Sequence, residues 1–142
     1  MYSKLIRYIE DRSSDKIAKE VKDAMVSDHY VYFCEVLTKL DEHVLYKSLI
    51  HGKTHIERVC FLALLLSNKL DLSVEDTKLL LTAGAYHDIG RKNEFADAGH
   101  GRRAAEAVVQ YVAYEGDDLK ILKASIEAHS RSDSLMSDII DK

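Results

Sequence analysis

Proline is absent from all 142 residues of the chain, and apolar residues recur at the 3.6-residue spacing of helices almost without interruption. Proline is the usual marker of turns and sheet edges. A chain that lacks it, and in which Ala and Leu outnumber Val, Ile and Thr, leans towards helix and away from a β-sandwich. The periodicity predicts a helix over residues 2–10, with Leu5, Ile6 and Ile9 on one face, and another carrying Ile17, Val21, Ala24 and Met25. Asp28 is placed to cap a third, whose inner stripe is Phe33, Val36, Leu37 and Leu40. A short apolar piece at 44–50 leads into His51-Gly52-Lys53-Thr54-His55. The helix predicted over 55–68 is apolar nearly all round, which marks it as the central one of a bundle. Ser73, followed by Glu75 and Asp76, starts the next helix, which reaches His87-Asp88-Ile89-Gly90. Residues 91–99 read as a polar loop, 100–114 and 119–129 as two more helices, and 134–142 as the start of a further amphipathic segment.

Length supports one helical domain over 1–142. With 46% apolar and 31% charged residues the chain falls in the globular range. A domain of this size holds a core without disulfides or a structural metal, so any metal would serve chemistry. The net charge of −4 argues against a nucleic-acid polymer as partner, because phosphate binding usually shows a basic excess; a small anionic ligand remains open. Cys34 and Cys60 each sit in an apolar helical pattern and read as small buried hydrophobes. The longest apolar run, residues 59–66, is too short to span a bilayer, and Lys4, Arg7, Glu10 and Asp11 interrupt the start where a signal peptide needs an apolar stretch. The expectation is a cytoplasmic protein with no membrane partner, whose amphipathic N-terminal helices allow a homo-oligomer.

Of seven histidines, His29 and His43 lie in polar surroundings and read as surface residues. The other five differ, and four of the six glycines adjoin members of this group: Gly52 follows His51, Gly90 lies three after His87, and Gly99 and Gly101 bracket His100. Glycine permits tight turns and close approach to the backbone. Gly84, three before His87 and four before Asp88, leaves room on the helix surface just below both. Neighbours on a helix point about 100° apart, so His87 and Asp88 reach one ion only in the wedge between them at a helix end, and Gly90 supplies that end. Imidazole with carboxylate suits a divalent transition metal, and a bridging carboxylate holds two. The competing reading makes His87 a core histidine continuing the Leu80, Ala83, Gly84 stripe. Against it, Asp88 stands at the helix end where the macrodipole disfavours a carboxylate unless a cation compensates.

His55-Ile56-Glu57-Arg58-Val59, followed about thirty residues later by Ala85-Tyr86-His87-Asp88-Ile89-Gly90-Arg91, resembles the HD superfamily of metal-dependent phosphohydrolases. It is most similar to small bacterial HD-domain proteins that carry a His-Gly-x-x-His-Ile-Glu-Arg-Val segment before the His-Asp pair. The resemblance covers residues 30–131 and implies an all-α, HD-domain-like helical bundle. It further implies that His55, His87 and Asp88 hold a first metal ion, and that His100 and His129 hold a second beside a bridging Asp88. His129 also continues the Leu122, Ile126 apolar stripe, so a core role stays open for it. His51, four before His55, reads as a substrate or outer contact. HD enzymes close the first site with a second Asp on a later helix, and Asp133, Asp138 and Asp141 all come earlier than that position. The expectation is a chain cut short within the domain.

Arg58, Arg91, Lys92, Arg102 and Arg103 cluster around these motifs and are suited to receive phosphate. Lys92 also matches a lysine common in related two-metal members. The resemblance therefore implies hydrolysis of a phosphoester, a nucleotide or related small phosphorylated molecule. Its cofactor would be one or two divalent ions drawn from Mn, Fe, Co, Ni, Mg or Zn, with Asp88 and Lys92 in catalytic roles and Arg58, Arg91 and His51 towards substrate. The alternative is a non-catalytic HD-fold module that senses a nucleotide or metal, and a third reading is a helical adaptor with structural histidines.

Overall fold

Six α-helices and two short 3-10 turns make up the regular structure of residues 16–130, the part of the chain that the computed structural model describes. In order they are α1 (Lys16–Met25), α2 (His29–Lys39), a 3-10 turn (Glu42–Val44), α3 (Lys53–Lys69), α4 (Val74–Tyr86), α5 (His100–Ala107), a second 3-10 turn (Val108–Gln110) and α6 (Gly116–Ala128). No strand occurs among the described residues, so the fold is the all-α bundle that the periodicity predicts. The helices expected at 2–10 and 134–142 lie outside the described residues. No described helix is long and apolar enough to cross a membrane.

α3 and α4 form the central pair, α2 packs on both, α1 on α3, and α5 and α6 pair with each other while α6 also meets α4. Ile56, Cys60 and Leu64 of α3 bury at helical spacing against Leu81 and Ala85 of α4. Leu122 and Ile126 of α6 and Ala104 and Val108 from the α5 region close the same core. Burial pushes the Cys60 thiol up to about 12, as befits a packing residue with no reactive role. Ser73 caps α4, its Oγ accepting from Asp76 N–H at 3.1 Å, and Glu75 and Asp76 fill the positive first turn.

Several expectations change in detail. α3 begins at Lys53, so His51 precedes the Gly52 cap and does not share a helix with His55. α3 is also not enclosed on all sides, since Leu62 and Leu66 are exposed. The helix expected over 100–114 ends at Ala107, tightens into the 3-10 turn and stops at Tyr111, whose ring stacks on Tyr86 at 5.9 Å. Asp28 occupies the cap position of α2, but its side chain makes no capping hydrogen bond. Cys34 is half-buried. His29 is half-buried too, its Nε2 donating to Leu72 O at 2.9 Å, so it ties α2 to the α3–α4 turn.

Candidate metal centre

Chain breaks aim the histidines. His87 caps the C-terminus of α4, and the turn through Gly90 carries the chain back over α5. A side chain at Gly90 would run into the Ala104 amide and stand 2.7 Å from His100 O, so only glycine lets α5 approach this closely. Gly101 does the same on the other side, where a Cβ would lie 2.8 Å from Glu127 O at the end of α6. These contacts bring His100, the first residue of α5, against His129, the C-cap of α6.

Asp88 lies at the centre and is only 2% exposed. Its two oxygens face different partners. Oδ2 stands 3.3 Å from His55 Nε2, 3.3 Å from His87 Nε2 and 3.6 Å from His51 Nδ1. Oδ1 stands 3.3 Å from His129 Nε2, 3.4 Å from His100 Nε2 and 3.4 Å from Arg91 Nε. Burial alone would raise the Asp88 carboxyl. Hydrogen bonds from His129 and His87, with the charges of His87 and Arg91, outweigh it and hold the group far below the usual carboxylate range. Asp88 is therefore an anion at neutral pH.

Three imidazoles share one tether. Nδ1 of His87 lies 2.7 Å from Gly84 O, Nδ1 of His100 2.7 Å from Asp97 O, and Nδ1 of His129 2.5 Å from Ile126 O. In each case the acceptor is the carbonyl three residues earlier. A carbonyl only accepts, so each Nδ1 carries a hydrogen, and each ring turns its Nε2 towards Asp88. Burial, with the charges nearby, lowers the pKa of His55 and His100 and keeps both rings neutral. The ring nitrogens also crowd one another: Nε2 of His55 and His87 lie 3.1 Å apart, and those of His100 and His129 2.9 Å.

These separations fit metal ligation. Ligands about 2.1 Å from one ion stand roughly 3.0–3.4 Å from each other, between right-angle and tetrahedral geometry. The His51, His55, Asp88 group and the His87, Asp88, His129 group each offer three ligand atoms within 4.8 Å of one another. His51 Nδ1 is moreover buried without a hydrogen-bond partner, an orphaned acceptor or donor that a ligand would satisfy. Nitrogen and carboxylate donors together suit the divalent transition series.

The structure thus brings His51, His55, His87, Asp88, His100 and His129 together. Arg91 joins them: it donates to His100 Nε2 at 3.1 Å and to Asn93 O at 3.1 Å, while its Nε has no hydrogen-bond partner. Arg58 and Lys92 are exposed; the charge of Arg58 acts on the His55 ring, and Lys92 is held by its backbone N–H on the Asp97 carboxylate. Lys92 does not continue α4, because the chain has already turned at Gly90. Arg103 is committed elsewhere, donating to Gly90 O at 2.8 Å, to Ala98 O at 3.0 Å and to the Asp97 carboxylate. The acidic candidates Asp133, Asp138 and Asp141 lie outside the described residues.

Two supports were not legible beforehand. Asp97 gathers the Lys92 and Asn93 amides and Arg103, and its carbonyl fixes His100. Those bonds hold its carboxyl well below the usual range. Ser48 Oγ accepts from His51 N–H at 2.7 Å and donates to Glu94 Oε1 at 2.8 Å, pinning the His51 turn to the 91–99 loop. The spacing of Asp97 before His100 was the one available signal, as a polar residue just ahead of a helix start.

The family model described as HD domain matches residues 52–140 of this chain. Neither the curated proteins nor the solved structures contain a match.

Proposed function

The chain belongs to the HD-domain family, whose members are generally metal-dependent hydrolases, and from that premise we propose that it hydrolyses a phosphoester of a small molecule, nucleotides being the first class to test. The observation that supports this most is the division of Asp88: one oxygen faces His51, His55 and His87, the other His100 and His129. Such a carboxylate is suited to bridge two divalent ions, with His55, His87 and Asp88 at one and His100, His129 and Asp88 at the other. Ions held there supply Lewis acidity, acidifying water and offsetting charge on phosphoryl oxygens.

The residues have distinct tasks. The three Nδ1 tethers fix ring orientation and leave Nε2 as the atom that would meet an ion. Arg91, anchored through Asn93 O, would turn its other N–H groups to a phosphoryl oxygen, including the one that meets His100 Nε2 when no ion takes that lone pair. Arg58 and Lys92, exposed at the rim, add positive charge for the same group. Hydrolysis forms a bond from water oxygen to phosphorus and breaks the ester P–O bond; the water proton ends on the departing alkoxide or in solvent. No serine or cysteine nucleophile is needed, and the raised thiol pKa of Cys60 removes it from consideration.

The test is elemental analysis of the purified protein together with a phosphoester panel assayed with added Mn²⁺ or Ni²⁺. Asp88→Ala and His87→Ala should each lower metal content and reduce turnover about 10²-fold or more. Metal content and turnover indifferent to both substitutions would refute the reading. Metal and nucleotide binding without turnover would favour the sensing module instead.

A further inference from the structure

An apolar groove of about 410 Å³ runs between α3, α4 and α6 and ends on the metal centre, since His87 and His129 line it at one end. Val59, Leu62 and Leu66 of α3 and Leu80 and Ala83 of α4 form its walls, and no Asp, Glu, Lys or Arg lines it among the described residues. Gly84 lets the two helices close at its floor, where a Cβ would stand 3.3 Å from Val59 Cγ1. Leu62 is 63% exposed and Leu66 45%, an apolar surface that costs solubility unless something occupies it. Two of the cationic residues stand elsewhere, Arg91 on the Oδ1 side of Asp88 and Arg102 beside Gly99 and Ser130.

We propose that this groove holds the apolar part of the substrate, so that the phosphoester cleaved is one whose leaving group is an uncharged hydrocarbon or aromatic moiety and not a further phosphate or a polar sugar alone. The proposal rests on the phosphohydrolase reading for its chemistry, but the groove makes its own demand. A phosphoryl group at Asp88 and its histidines directs one ester substituent past His87 and His129, and the surface it meets there offers Leu, Val and Ala side chains. Ser125, whose hydroxyl donates to Ile121 O, is the one hydroxyl-bearing side chain among the residues lining it. A polyphosphate or sugar placed there would exchange water for a wall with almost no hydrogen-bonding partners, whereas each buried methylene gains free energy.

Equilibrium binding of straight-chain alkylphosphonates, which cannot be hydrolysed, tests this without relying on turnover. Calorimetric titration of the Mn²⁺-loaded protein with butyl to octyl phosphonate should show Kd falling about twofold per added methylene. That is roughly half the free energy of complete methylene burial, because the groove is open on one side. Leu62→Ser and Leu66→Ser, both at exposed positions compatible with folding, should flatten the series while leaving methylphosphonate binding unchanged. A Kd independent of chain length in the unsubstituted protein would overturn the proposal, and is also what results if other residues of the chain or a second copy cover the groove. Failure of the hydrolase reading would look different: no phosphoester turnover by the Mn²⁺-loaded protein, with the chain-length dependence of phosphonate binding intact.

Discussion

Asp88 places a full negative charge where burial is nearly complete, and the surrounding groups decide whether it can persist. Five histidine nitrogens and one arginine lie 3.3–3.6 Å from its oxygens, and the hydrogen bonds among them outweigh desolvation. Asp97 stands one layer out and acts through others, organising residues 91–103 so that His100 faces inward. Asp97→Ala should weaken Mn²⁺ binding by about 10- to 100-fold in equilibrium dialysis, with helix content by circular dichroism unchanged. Unaltered affinity would mean that His100 is fixed by packing alone. The sequence separated the residues of this cluster unevenly. His87-Asp88 was legible from residue type and glycine placement, and His55 from the resemblance of its segment to the HD superfamily, whereas the roles of Asp97 and Ser48 arise from loop geometry that has no periodicity to reveal it.

At the scale of elements, close packing of α5 on the 86–90 turn and on α6 converts three distant histidines into neighbours. Gly101→Ala forces a methyl against Glu127 O and Ser130, and overpacking of this kind costs about 1–3 kcal/mol. Urea denaturation should show that loss, and metal affinity should fall with it because His100 and His129 are displaced from each other. Ser73→Ala, far from the centre, should cost about 1 kcal/mol by removing the α4 cap while metal binding stays as it was. Helix type and order followed from the apolar period in every described segment. Helix ends did so less well, because tertiary contacts set them: Tyr111 leaves the α5 axis to stack on Tyr86, and Gly52 starts α3 two residues earlier than the His55 pattern indicated.

The whole molecule carries its titration behaviour in the same cluster. His55 and His100 have pKa values lowered in the fold, burial being the largest cause for both, and Asp88 is lowered as well. Between the depressed folded values and the ordinary imidazole value near 6.5, the unfolded chain binds more protons than the folded one, so stability rises with pH and is lost as pH falls. Metal-stripped protein should accordingly unfold at lower urea at pH 5.5 than at pH 7.5, and His55→Gln should reduce that difference. A midpoint constant or higher at pH 5.5 would contradict the neutral state assigned to the His55 and His100 rings.

That Asp88 joins two histidine groups around divalent ions is the central claim, and metal stoichiometry addresses it most directly. Equilibrium dialysis against Mn²⁺ followed by elemental analysis should give about two ions per chain for the unsubstituted protein. The His100→Ala, His129→Ala double variant should give about one, and Asp88→Ala close to none. Stoichiometry that is negligible throughout, or that Asp88→Ala leaves unchanged, would contradict the account.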